Sequence, residues 1–248
     1  MKKVIAFILC LLLVGSPALA APTHYNTTNG SWEEDQSVTI SHDNGTGSDR
    51  YFTACGFIWD ETETWTINSG FPKIDGVTMS LLGSADVYGT DHRVFLYGLN
   101  APSGTKNFTV ETTGIGGQMW TISTWEGVNQ TTPTEDVATN QNAGSADTSV
   151  SVTDTAAGQL VIDCAGISDA NSNTFSAGAN QTQRGAITIA TFATLRTSEE
   201  AGGTPPITMS WTWGGDPVPA EYWGIIGISL REPAAAPAAL KPQAIVVQ

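Results

Sequence analysis

Apolar residues in this chain recur at every second position, and no stretch holds a helical apolar period for three turns. In "SVTIS", Val38 and Ile40 alternate with Thr39 and Ser41. In "ITMSWTW", Met209, Trp211 and Trp213 fall on one side and Thr208, Ser210 and Thr212 on the other. In "GIIGISLR", Ile226, Ile228 and Leu230 share a face. Successive strand side chains point to opposite faces, so this pattern predicts half-buried β-strands and disfavours amphipathic helices. Similar runs, bounded by Gly, Asp and Asn, include "DRYFTACGFIWD", "DGVTMSLL", "HRVFLYGL", "KNFTVET", "GQMWTISTWE" and "GQLVIDCAGI". Roughly eleven strands are predicted, at spacings typical of a sandwich. The expected fold is all-β: a two-sheet antiparallel β-sandwich, jelly-roll-like, whose apolar stripes face each other.

The N-terminus reads differently. "MKK" is basic, "VIAFILCLLLVG" is apolar but short, and "SPALA" is a small-residue cleavage signal. Together they predict a secretory leader over residues 1–20, with no small-residue lipobox before Cys10. Residues 21–36, with His24, are expected to be an extended N-terminal segment, 37–232 the sandwich domain, and 233–248 a Pro/Ala-rich tail. No later run has the length and apolarity of a membrane span. A secreted or extracellular-surface location is expected, with the periplasm as a variant. The formal charge is −14, and losing Lys2 and Lys3 with the leader makes it −14 − 2 = −16. That acidity, without basic clusters, argues against nucleic acid as a partner.

Cys55 and Cys164 remain after the leader, both in predicted strands. Two readings stay open. A disulfide would close a loop of about a hundred residues, worth ~4–5 kcal/mol in the chain-entropy model. Two free thiols would instead pack as small hydrophobes.

"GSDRYFTACGFIW", "DGVTMSLLG", "VFLYGLNAPSGTKNFTVE", "WEGVNQTTPTED" and "SVSVTDTAAGQLVIDCAG" follow one another in this order. The succession resembles a β-sandwich module of bacterial secreted or surface proteins and of phage structural proteins, from about Ser37 to Arg231. The resemblance implies a sandwich fold and makes "GVNQTTP" a structural corner, with Gly127 permitting a tight exit and Pro133 ending the ladder. It implies no particular chemistry.

The candidate sites follow from residue type. Glu126 in "TWEGVN" and Glu221 in "AEYWGI" lie beside aromatics, and faintly resemble the paired carboxylates of jelly-roll glycosidases; each is equally the polar end of a strand. His24, His42 and His92 have neither nucleophile-elbow context nor metal-ligand spacing. Asp43, Asn44 and Asp49 in "DNGTGSD" space oxygen ligands around two glycines as a calcium turn does, although any hairpin loop uses the same residues. "SDANSNT", with Asp169 and Asn171, is a weaker second loop. Trp59, Trp65 and Trp125, with Asn129, are the expected sugar contacts, provided the rings are exposed to stack on sugar C–H faces. The preferred reading is a non-enzymatic, carbohydrate-binding or adhesive surface module. Its partner would be a glycan or cell-surface polysaccharide. The rival reading is a structural surface-layer, fibre or virion-type protein that binds copies of itself.

Overall fold

The computed structural model describes residues 20–33, 37–60, 65–88, 91–143, 148–168, 174–189, 193–214 and 222–233. The expected leader up to residue 19, Glu221, the Asp169–Asn171 loop and the tail from residue 234 lie outside these residues, as does the Trp213 side chain.

Among the described residues there are eighteen strands where roughly eleven were expected; every pairing is antiparallel, and there is no helix. The first ten are β1 (Thr23–Glu33), β2 (Ser37–Asp43), β3 (Tyr51–Trp59), β4 (Thr66–Ile67), β5 (Lys73–Ile74), β6 (Val77–Thr78), β7 (Ser80–Tyr88), β8 (His92–Asn100), β9 (Thr105–Thr113) and β10 (Gly117–Glu126). The remaining eight are β11 (Thr134–Ala143), β12 (Thr148–Val152), β13 (Leu160–Ser168), β14 (Thr174–Ala177), β15 (Thr182–Ile189), β16 (Ala193–Ala201), β17 (Ile207–Gly214) and β18 (Tyr222–Leu230). Two inner sheets have the orders β1-β10-β3-β8-β7 and β11-β18-β13-β16-β15. Two outer sheets have the orders β2-β9-β5-β6 and β12-β17-β14, with β4 pairing to β9. The segment expected to be merely extended therefore contains β1, paired with β10 along its length, and His24 belongs to that strand.

Burial shows how the sheets stack. Exposed and buried residues alternate along β2, as they must on a strand with one wet face. Every residue of β3 and β13 is buried, which requires cover on both faces. Three cores provide it. Val38, Ile40, Phe52, Phe108 and Trp120 join the first outer and inner sheets. Val150, Val161, Met209, Trp211 and Ile225 do the same for the second pair. Phe57, Trp59, Leu96, Ile162, Leu195 and Ile226 lie between the two inner sheets. The expected sandwich is thus present twice, back to back, in four layers.

The two halves repeat one plan. Replacing β1, β10, β3, β8 and β7 by β11, β18, β13, β16 and β15 converts one inner sheet into the other, and β2 and β9 become β12 and β17 in the outer sheets. Contacts between the inner sheets are reciprocal: β11 meets β7 as β1 meets β15, β18 meets β7 as β10 meets β15, and β13 meets β8 as β3 meets β16. Such contacts are isologous, as in a two-fold dimer. Cys55 of β3 and Cys164 of β13 occupy corresponding places and form a disulfide across the two inner sheets, with their Cα atoms 5.6 Å apart. The covalent reading of the two cysteines is the one observed.

Candidate ligand site

The loop between β2 and β3 folds around an arginine. Asp43 Oδ1 accepts the Gly45 N–H at 2.9 Å, closing an Asx turn, and Gly45 takes the positive φ of 70° that such a turn needs. Arg50, 5% exposed, reaches back and donates Nη1 to the carbonyls of Asn44 and Gly45. Backbone carbonyls of this kind would serve a calcium ion, and here a guanidinium takes two of them. Nor do the three expected ligands converge. Asn44 is fully buried, with Oδ1 accepting the Thr124 hydroxyl at 3.1 Å, whereas Asp49 is exposed beside Ser48. In this arrangement Arg50 takes two of the carbonyls that the calcium reading of Asp43, Asn44 and Asp49 would use.

His42 is the penultimate residue of β2. It is buried in β2, where Nδ1 shares a 2.8 Å hydrogen bond with Thr28 and Nε2 a 3.0 Å bond with Thr124. Burial lowers the imidazole pKa to about 4, with Asp43 opposing and His24 reinforcing the shift. The ring is neutral and structural.

The tryptophan expectations need correction as well. Trp59 is 5% exposed and lies over Gly117, where an added Cβ would come within 2.1 Å of the indole. Trp125 is 2% exposed, donates Nε1 to Thr53 at 2.8 Å and meets the His24 ring edge-on at 5.3 Å. Both face the second half of the molecule, a cover that a single-sandwich reading does not contain. Trp65 is half-buried, with its Nε1 donated to the Asp91 carbonyl at 2.9 Å and the Arg93 guanidinium 5.9 Å from its ring. Asn129 uses its side-chain oxygen to accept the N–H groups of Thr131 and Thr132, which makes it a turn-former in the corner. That corner, residues 127–133, spans the two halves: Val128 N–H donates to the Asp49 carbonyl and Asn129 N–H to that of Arg231.

One residue the sequence reading passed over carries the exposed ring. Tyr25 in β1 is 42% exposed, and among the described side chains it is the one exposed aromatic. Its ring lies on Gly45, where a Cβ would fall 2.7 Å from the ring carbon that bears the hydroxyl. Polar groups surround it. The phenol donates to Asp43 Oδ2 at 3.4 Å, and Asn26 Nδ2 donates to the Asp43 carbonyl at 3.2 Å. Glu126, at the end of β10, reaches the same loop: its Oε1 lies 2.9 Å from the place a Gly47 Cβ would occupy. Asp43 foremost, and Glu126 more weakly, push the phenol pKa above its ordinary value, with Arg50 opposing. The available signal was local: an aromatic in a β-prone "THYNTT" run and a D-N-G turn whose glycine leaves room for a ring. The arrangement can seat the flat face of a small polar molecule on Tyr25 and bind its hydroxyls with Asp43, Asn26 and Glu126. Among the described residues no group of three or more His, Cys, Asp or Glu side chains gathers as a metal site. Comparison with family models, with curated proteins and with solved structures gives no match.

Proposed function

We propose that this chain is a non-enzymatic, exported carbohydrate-binding or adhesive module whose sugar platform is Tyr25. The observation that carries the reading is one exposed ring, supported from below by Gly45 and flanked by Asp43, Asn26 and Glu126. Sugar sites need these parts: an aromatic face for C–H groups and a few fixed acceptors and donors for hydroxyls. The resemblance to secreted surface modules and the sequence of the leader agree with work outside the cell.

The test is retention of the chain on a panel of immobilised polysaccharides, with Tyr25→Ala beside it. Binding that falls roughly tenfold in the variant, the loss of one stacking contact of about 1.4 kcal/mol, supports the platform. Equal binding by Tyr25→Ala moves the site elsewhere, with Trp65→Ala the next variant. No retention on any glycan favours self-assembly. Val77 on β6 and Leu81 on β7, both exposed on strands at sheet edges, support that second reading.

A further inference from the structure

The second half buries a carboxylate that the first half does without. Asp163 in β13 is 2% exposed, between the second inner and outer sheets. Its Oδ1 accepts the Ser198 N–H at 2.6 Å; its Oδ2 accepts the Ser198 hydroxyl and Trp211 Nε1, each at 2.9 Å, and Gln181 Nε2 at 3.4 Å. Gln181 in turn accepts the Ser210 N–H at 2.8 Å. One side chain thus joins β13, β16, β17 and the turn before β15, and it does so with hydrogen bonds alone. Position 54, next to Cys55 as Asp163 is next to Cys164, is a fully buried alanine. The fold can therefore close this layer without a carboxylate.

We propose that Asp163 is a proton-operated clamp, holding the second outer sheet tightly when neutral and more loosely when ionised.

The groups around it give no counter-charge. On the same face of β16, Arg196 sits 5.2 Å from the Phe175 ring and donates to Ile187, Leu195 and Thr188, and Glu200 lies near the strand end. The strands β12, β14, β17 and β18 bring no acidic or basic side chain to Asp163. An ionised Asp163 is held by four donors in a dry core with no cation, which leaves part of its desolvation unbalanced. A neutral Asp163 must instead donate its proton. The Ser198 hydroxyl, which already accepts Gln181 Nε2 at 2.7 Å, has a second lone pair and can turn its own hydrogen away to accept that proton. Burial pushes the carboxyl pKa up to about 7, against the pull of the Ser198, Trp211 and Gln181 hydrogen bonds. The folded protein thus holds this proton more tightly than an open chain does. The resulting stabilisation is complete below the ordinary carboxyl range near 3.8 and is lost as pH rises through about 7.

The test is amide hydrogen exchange of β14 and β17 in the full chain at pH 6 and pH 8.5, corrected for intrinsic exchange, alongside the Trp211 indole N–H resonance. Expected is a roughly tenfold loss of protection at the higher pH, the proton-linkage value for opening that frees Asp163, together with an indole resonance that titrates near pH 7. In Asp163→Asn both responses should vanish. Protection that is unchanged between the two pH values, or an indole titration that persists in Asp163→Asn, overturns the clamp. If Asp163→Asn does not fold, the carboxyl carbon resonance of Asp163 in the native chain decides. Titration near pH 7 upholds the proposal, and a flat line from pH 5 to 9 overturns it.

Discussion

Arg50 shows how far one side chain can determine what a loop is. The "DNGTGSD" sequence has the oxygen-rich composition of a calcium turn, and the next residue supplies the cation that the loop folds around. Addition of calcium should therefore leave the unfolding midpoint unchanged. Replacing Arg50 with methionine, which keeps an apolar stem but no donors, should cost about 3 kcal/mol in urea unfolding, because two carbonyls lose a charged partner. Recovery of stability by Arg50→Met in calcium would reverse this assignment. The same loop explains why Tyr25 was not legible. Its exposure depends on Gly45 lying beneath the ring, a contact between a strand residue and a loop residue twenty positions apart. The local pattern offers the aromatic and the D-N-G turn separately, and not the fact that they meet.

At the scale of strands, the sequence was most informative where one face meets water. Strand β2 reads from its sequence as an alternating strand with Val38 and Ile40 inward, and His42 completes its buried face. Strands β3, β10 and β13 were recognised as strands, but their continuous burial means that no face could be assigned from alternation. For that reason Trp59 and Trp125 were expected at a surface and are found in a core. Gly56 makes the point testable. A Cβ there would lie 2.3 Å from the Trp120 ring, which fills the space between the first outer and inner sheets. Gly56→Ala should destabilise the protein by about 1–3 kcal/mol in denaturant titration, as overpacking does in a filled core. A neutral substitution would mean that Trp120 has another place to go.

Across the whole molecule, the sequence did contain the signal of duplication, as two similar stretches. "SVTISHDNGTGSDRYFTACGFI" begins at Ser37 and "SVSVTDTAAGQLVIDCAGI" at Ser149, each running from an alternating strand through a Gly-containing loop into a cysteine-bearing strand. Fourteen of the eighteen strands form two sets of seven built on one plan, and a count of eleven does not divide into them. The core between the inner sheets is shared, so neither half has a complete interior by itself. The double variant Cys55→Ala with Cys164→Ala should therefore unfold in a single transition seen alike by fluorescence and circular dichroism. Its stability should fall by ~4–5 kcal/mol, since the residues that close the loop are 109 apart. Two separate transitions would show that the halves stand independently.

The disulfide also decides how the molecule would carry a load. Both ends of the described chain sit at the corner: the carbonyls of Ala20 and Ala21 lie near Gly127, and Arg231 donates its N–H to Pro133. Tension applied between the ends would pass through β1, β2 and β3 to Cys55, cross the sulfur bridge to Cys164, and leave through the second half. The 109-residue span between the cysteines, with a contour of roughly 370 Å, would stay out of the force path while the bond is intact. Tyr25 and Asp43 lie ahead of Cys55, inside that path. A pull strong enough to extend the molecule would strip β1 from β10 and separate the ring from its glycine, so an adhesive contact made here would let go before the rest of the chain unravels.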